Sequence, residues 1–133
     1  MPRRKNPDQP LTPLELEIMN VLWDTGPANV QVVQAHLQGR NLAYTTVQTM
    51  LNVLHRKGKV KRVLKDRAYV YRAVLSRPRA VRQAVGEVLE RFFGGSADSL
   101  VLNLLETRQL TPARLAKIQK MLDDPLEEND GND

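Results

Sequence analysis

The chain has 133 residues, a formal net charge of +5 and no cysteine. That length suits one ordinary domain or two very small ones. No apolar run reaches the roughly 18 to 20 residues that cross a bilayer, and disulfides, thiolate metal sites and a Cys nucleophile are excluded. The opening residues, MPRRKNPDQP, have no apolar h-region and no small-residue cleavage site, so they are not a signal peptide. Residues 1–10 read as a basic flexible arm on a soluble, cytoplasmic protein with no membrane insertion. The charge is unevenly spread. Residues 1–77 hold 13 Lys/Arg against 5 Asp/Glu, and residues 78–133 hold 7 against 10. A basic first half beside an acidic second half suggests a polyanion-binding part joined to a part with another task.

The stretch Leu11-Thr12-Pro13-Leu14-Glu15-Leu16 is a dense helix start. Thr12 suits the N-cap, Pro13 fits the first helical position, and Glu15 completes a capping box. A first helix is expected over 13–24, burying Leu14, Ile18, Met19, Val21 and Leu22, with Trp23 also in the core and its indole N–H needing a partner or an exposed edge. A second is expected over 30–38, with Val30, Val33 and Leu37 inward and Gly39 closing it. A third is expected over 44–57, ending at Gly58. Ala43 offers no hydroxyl cap there, so Thr45 with Gln48 is an alternative start two residues later. Val60–Leu64 and Ala68–Ala73 then alternate apolar with charged residues around Lys65-Asp66-Arg67, which reads as a β-hairpin without the Asn-Gly or Asp-Gly turn signal.

Helical spacing returns at Pro78, where Val81, Val85, Val88, Leu89 and Phe92 mark a helix ended by Gly94-Gly95. Ser96 or Asp98 can cap the next segment, DSLVLNLLE (98–106), in which five of the six residues from Leu100 to Leu105 are large and apolar. Such a short helix needs burial on nearly every side. Thr111-Pro112 starts a last amphipathic helix carrying Leu115, Ile118, Met121 and Leu122. Residues 123–133 are acidic and nearly free of apolar side chains, which reads as a disordered tail.

Three helices followed by a hairpin is the order of a winged helix-turn-helix. The expected fold is mainly α with a small β-hairpin: a winged helix over 11–76, then an α-helical dimerisation region over 77–122. On the third helix Val47, Met50, Leu51 and Leu54 share one face. Thr45, Thr49, Asn52 and Arg56 cluster on the opposite face, with Gln48 on its flank. The Thr, Gln and Asn groups are short or uncharged and suited to base edges in a major groove, and Thr45, Thr46, Gln48, Thr49 and Asn52 are the candidate base readers. No acid occurs from Thr25 to Lys65. Candidate phosphate contacts are Tyr44, His55, Arg56, Lys57, Lys59, Lys61, Arg62, Lys65 and Arg67, with Arg72 adding to the same basic run.

Tyr69 and Tyr71 share a hairpin face and read as core rather than stacking platforms. That disfavours the alternative of an RNA-binding or protein-interaction winged helix with a helical dimer tail. Catalysis is not expected. His36 and His55 lie on different elements without a suitably spaced carboxylate, and there is no phosphate-binding glycine loop and no H-E-x-x-H. No cofactor and no metal are expected.

Five segments in order, LTPLELEIMNVLW, TTVQTMLNVLHRKG, RAYVYRAV, FFGGSADSLVLNLLE and LTPARLAKIQKML, resemble the penicillinase-repressor (BlaI/MecI) family from about Leu11 to Leu122. The resemblance implies a homodimeric bacterial repressor that binds palindromic double-stranded operator DNA. Its subunits would pair through Val85, Leu89, Phe92, Leu100, Val101, Leu104, Leu105, Leu115, Ile118 and Leu122. In many members a membrane sensor zinc protease leads to cleavage between Asn and Phe in a segment like SLVLNF. Here Asn103 matches and Leu104 replaces the phenylalanine. Asn103 therefore has two readings, a polar group at the rim of the subunit interface or a scissile position. The copper-responsive branch ends in a cysteine-rich hook, which this cysteine-free chain lacks.

Overall fold

The computed structural model describes residues 10–124, so all but the last residue of the basic arm and most of the acidic tail lie outside the described residues. The elements are α1 (Pro13–Thr25), β1 (Ala28–Asn29), α2 (Val30–His36), a 3-10 turn (Gln38–Arg40), α3 (Tyr44–Arg56), β2 (Val60–Lys65), β3 (Ala68–Ala73), α4 (Arg77–Phe93), α5 (Ala97–Glu106) and α6 (Pro112–Asp123). The chain forms two compact units, divided after Glu87. The first is a winged helix-turn-helix: three helices and a three-stranded antiparallel sheet of order β1-β3-β2.

The capping box forms as its chemistry requires. Thr12 Oγ1 accepts from the Glu15 backbone N–H at 3.2 Å, and Glu15 Oε1 accepts from the Thr12 N–H at 2.9 Å. α1 then buries Ile18, Met19, Val21 and Leu22 against Val33 of α2, Val47, Leu51 and Leu54 of α3, and Val60 and Tyr71 of the sheet. Trp23 is half-buried beside this core, and its indole N–H donates to the Leu75 carbonyl at 2.9 Å.

α2 is shorter than the expected span because the chain tightens into the 3-10 turn. The left-handed residue there is Asn41 (φ 55) rather than Gly39; asparagine tolerates that region better than most side chains. α3 begins at Tyr44 with Ala43 as an N-cap that makes no side-chain bond. The alternative start at Thr45 is not adopted, which leaves Thr45 and Thr46 exposed on the first turn. Gly58 (φ 79) turns the chain from α3 into β2.

The hairpin pairs Val60 with Ala73 through to Lys65 with Ala68, so only Asp66 and Arg67 form the turn. Both have positive φ, 51° and 68°. Two central residues at positive φ match the twist of the flanking strands, a geometry usually given to Asn-Gly. β1, which the sequence pattern did not reveal, places Ala28 opposite Tyr71 and Asn29 opposite Val70. Two residues are too few for alternation to register.

In the second unit Gly94 (φ 57) and Gly95 (φ 84) end α4. Ser96, not Asp98, caps α5 by accepting from the Ser99 N–H at 3.1 Å. Thr111 caps α6 by accepting from the Arg114 N–H at 3.2 Å. α6 extends to Asp123, one residue into the stretch expected to be tail. No residue of α5 or α6 is buried. Leu100, Val101, Leu104 and Leu105 are half-buried and Leu102 is exposed, so the burial expected on nearly every side of α5 is not seen among the described residues.

Candidate nucleic-acid interface

α3 presents Thr45, Thr46, Gln48 and Thr49 to solvent while Val47, Leu51 and Leu54 are buried. The first turns of the exposed face are thus uncharged and rich in short hydrogen-bonding groups, as base-edge contacts require, and Arg56 stands exposed at its end. Beside it runs a cleft lined by Gln31, Tyr44, Gln48, Leu64, Arg67 and Tyr69, which joins the start of α2, the start of α3 and the tip of the hairpin. Gln31 and Asn29, which also lines the cleft, were not legible as site residues. Asn29 is an ordinary N-cap, accepting from the Val32 N–H at 2.9 Å, and nothing local distinguishes Gln31 from other exposed glutamines.

The cations divide into two groups. Arg56, Lys61, Lys65, Arg67 and Arg72 are exposed around α3 and the hairpin. Others are engaged within the fold. Lys59 is only 1 % exposed, so its place among the phosphate contacts is corrected. The residue follows Gly58 into the core, where its carbonyl accepts from the Val74 N–H at 2.8 Å and the Leu75 N–H at 3.1 Å. Lys57, the C-cap of α3, extends its ammonium to Glu15 Oε2 at 2.7 Å. His55 is half-buried and has an interaction partner within the fold.

Asn52 and Arg62 are joined to one another. Asn52 Oδ1 accepts from Arg62 Nη1 at 2.8 Å and from the Tyr71 hydroxyl at 2.9 Å. Arg62 also lies over the Tyr69 ring, 4.2 Å from its centroid. Tyr71 is core, as its sequence position suggested, but Tyr69 is exposed. Its ring serves as a platform for an arginine of the same sheet and meets Tyr71 edge-on at 6.3 Å.

Helices α4 to α6 carry the apolar candidates for subunit pairing. On α4, Val85 and Phe92 are exposed and Leu89 half-buried; on α6, Leu115 is half-buried and Ile118 and Leu122 exposed. Phe92 and Leu122 show 77 % and 74 % of their surface. Asn103 is exposed, but its backbone is held: its carbonyl accepts from the Thr107 N–H at 3.0 Å and the Thr107 hydroxyl at 2.8 Å. The Leu104 carbonyl accepts from the N–H groups of Gln109 and Leu110, both at 3.0 Å. Among the described residues no cluster of three or more metal-ligating side chains occurs, and no helix is long and apolar enough to cross a membrane.

A winged helix whose third helix shows a polar, acid-free face bordered by cations has the architecture of a transcriptional regulator. The chain belongs to the penicillinase repressor family, whose model matches residues 11–124. It is similar to the penicillinase repressor of Bacillus licheniformis, 29 % identical over 111 residues that cover 83 % of this chain and 87 % of that one. The transcriptional regulator BlaI of Mycobacterium tuberculosis is 34 % identical over 96 residues, 70 % of each chain. A solved transcriptional regulator of Thermotoga maritima superposes with a TM-score of 0.47 at 20 % identity, over 92 % of this chain and 79 % of that one. The fold rests on the element order and packing described above, not on that likeness.

Proposed function

We propose that the protein is a sequence-specific repressor that binds a palindromic operator as a homodimer. The observation that carries this reading is the exposed face of α3, where Thr45, Thr46, Gln48 and Thr49 stand in a surface with no acid from Thr25 to Lys65. Two such helices read two half-sites of one duplex, and the exposed cations Arg56, Lys61, Lys65 and Arg67 fix register on the phosphates. Tyr44 and Gln48 line the cleft against the hairpin and meet the DNA at its edge.

Pairing of subunits supplies what one module lacks. A single winged helix touches few bases, whereas two linked modules gain affinity through effective concentration. The exposed Val85, Phe92, Ile118 and Leu122, with the half-buried leucines of α5, are the surface that pairing covers. Separation of the subunits then releases the operator. Cleavage at Asn103–Leu104 by a membrane sensor protease is one route to it, supported by the match at Asn103 and weakened by Leu104. In that reading the protein is a switch and not an enzyme.

The test is selection from randomised duplex DNA, followed by a shift assay with folded RNA as competitor. The expected result is an inverted repeat whose binding random duplex and folded RNA fail to displace. Recovery of no consensus, or equal competition by RNA, would falsify the repressor reading in favour of an RNA-binding module.

A further inference from the structure

We propose that Asn52 and Arg62 are positioning residues that lock the hairpin to the recognition helix, so that base discrimination depends on both although neither touches DNA. The inference rests on the DNA-binding reading above and assigns these two residues a different task from the readers and phosphate contacts around them.

An amide oxygen has two lone pairs, and both of those on Asn52 Oδ1 are taken. One accepts from Arg62 Nη1 at 2.8 Å and the other from the Tyr71 hydroxyl at 2.9 Å. Arg62 and Tyr71 are cross-strand partners on one rung of the hairpin. A single atom of α3 therefore holds both strands at the same level. Tyr71 is 1 % exposed, so its hydroxyl approaches from a ring fixed in the core. Arg62 is fixed from a further side by the Tyr69 ring, 4.2 Å away. A bidentate contact to adenine would need the Asn52 oxygen as an acceptor, and that oxygen is already occupied.

The position of this brace gives it leverage. Lys65 lies three residues beyond Arg62, about 10 Å along the strand at roughly 3.3 Å per residue. A tilt of about 10° at the brace would move the hairpin tip by about 2 Å over that length, several times the roughly 0.5 Å spread of N–H···O hydrogen-bond distances. The readers Gln48 and Thr49 stand one turn before Asn52 on α3, and the cations Lys65 and Arg67 sit at the tip. The brace sets the offset between these two groups, and hence whether α3 sits in register when the phosphates are engaged.

The experiment is a double-mutant cycle on the full-length protein using Asn52→Ala, Arg62→Ala and the pair, with Tyr71→Phe alongside. Each is measured for the ratio of selected-operator to random-duplex affinity, for the salt dependence of binding, and for its urea midpoint. The expected result is about a tenfold fall in the ratio for either alanine variant, no further fall for the pair, and an unchanged salt slope, as coupled residues show. Tyr71→Phe should lower the ratio severalfold in the same direction. Because it removes one hydroxyl only, it keeps the test available if an alanine variant fails to fold. The inference is overturned if Arg62→Ala lowers the salt slope by about one with the ratio intact, which marks a phosphate contact. It is equally overturned if Asn52→Ala relaxes preference at one base position alone, or if the two single effects add. Failure of the wild-type protein to prefer any duplex sequence would instead overturn the DNA reading, and the wild-type control alone distinguishes that case.

Discussion

Lys57 Nζ lies 2.7 Å from Glu15 Oε2, an ion pair that ties the last turn of the recognition helix to the first turn of α1. Glu15 is 1 % exposed, and its carboxylate also closes the α1 capping box. One side chain thus serves two elements 42 residues apart. Replacing Lys57 by Met leaves a buried carboxylate short of its charged partner, with an expected loss of up to about 3 kcal/mol. Urea denaturation reads this, and the double change Glu15→Gln/Lys57→Met should cost less than the two singles summed. The salt slope of DNA binding should not change, because this ammonium is committed within the protein. A reduced slope would return Lys57 to the phosphate contacts.

On α3, Gln48→Ala or Thr49→Ala should cost about 1 to 3 kcal/mol on the selected operator and almost nothing on random duplex. Lys61→Ala on β2 should weaken both alike and reduce the salt slope by about one. Titrations at several salt concentrations separate the two patterns. Equal weakening of cognate and random DNA by Gln48→Ala would remove it from the reading face.

The hairpin turn puts a candidate phosphate-contacting cation in a strained backbone position. Arg67 holds φ 68 without being glycine, and left-handed backbone disfavours such a residue by about 1 to 2 kcal/mol. Arg67→Gly should therefore stabilise the fold by about 1 kcal/mol while weakening DNA binding and flattening its salt dependence. A thermal melt and a salt titration of the same variant check both halves. Lower stability would mean that the turn draws support from the arginine side chain.

Phe92→Asp places a charge on the most exposed large apolar side chain of α4. Sedimentation should show a shift to monomer at micromolar concentration, and operator affinity should fall by about 100-fold or more as the two modules lose their linkage. The winged helix should keep its melting transition. A variant that stays dimeric would move the interface off this face.

Arg40 donates to both carboxylate oxygens of Glu17, with Nε distances of 3.0 and 2.9 Å. That hydrogen bonding holds the Glu17 carboxyl below the usual glutamate value, and Glu17 raises Arg40 in return. A carboxylate lowered on folding favours the folded state above its ordinary titration range, and this contribution disappears as pH falls through the lowered value. Arg40→Ala should return Glu17 to the ordinary range, as carboxyl NMR titration would show. Because the pair is exposed, stability at neutral pH should barely move.

What the sequence discloses about this protein follows the range of the interactions involved. The Thr12–Glu15 capping box spans four residues and is legible at once, and so is the split of α3 into apolar and polar faces. The Glu15–Lys57 pair is not, because only tertiary packing brings those residues together. Asn52 was assigned correctly to the polar face of α3, but helical periodicity does not report that the hairpin folds over that face and occupies its oxygen. Lys59 misleads for a related reason. Charges alternating along a strand suggest exposure, while the turn at Gly58 carries the first of them into the core. In the second unit the apolar spacing of α5 is plain, yet none of its residues is fully buried among the described residues.

The backbone around Asn103 sets a condition on any protease. A cleavable segment must leave the helix and lie extended in an active site, and here the last turn of α5 is fastened by Thr107 from one side and by Gln109 and Leu110 from the other. The exposure of the Asn103 side chain therefore says little about how fast the bond is cut. The rate scales with the fraction of time that turn spends open. In the proteolytic reading proposed above, Thr107, four residues from Asn103, would govern the timing of release as much as the residue in the cleaved position.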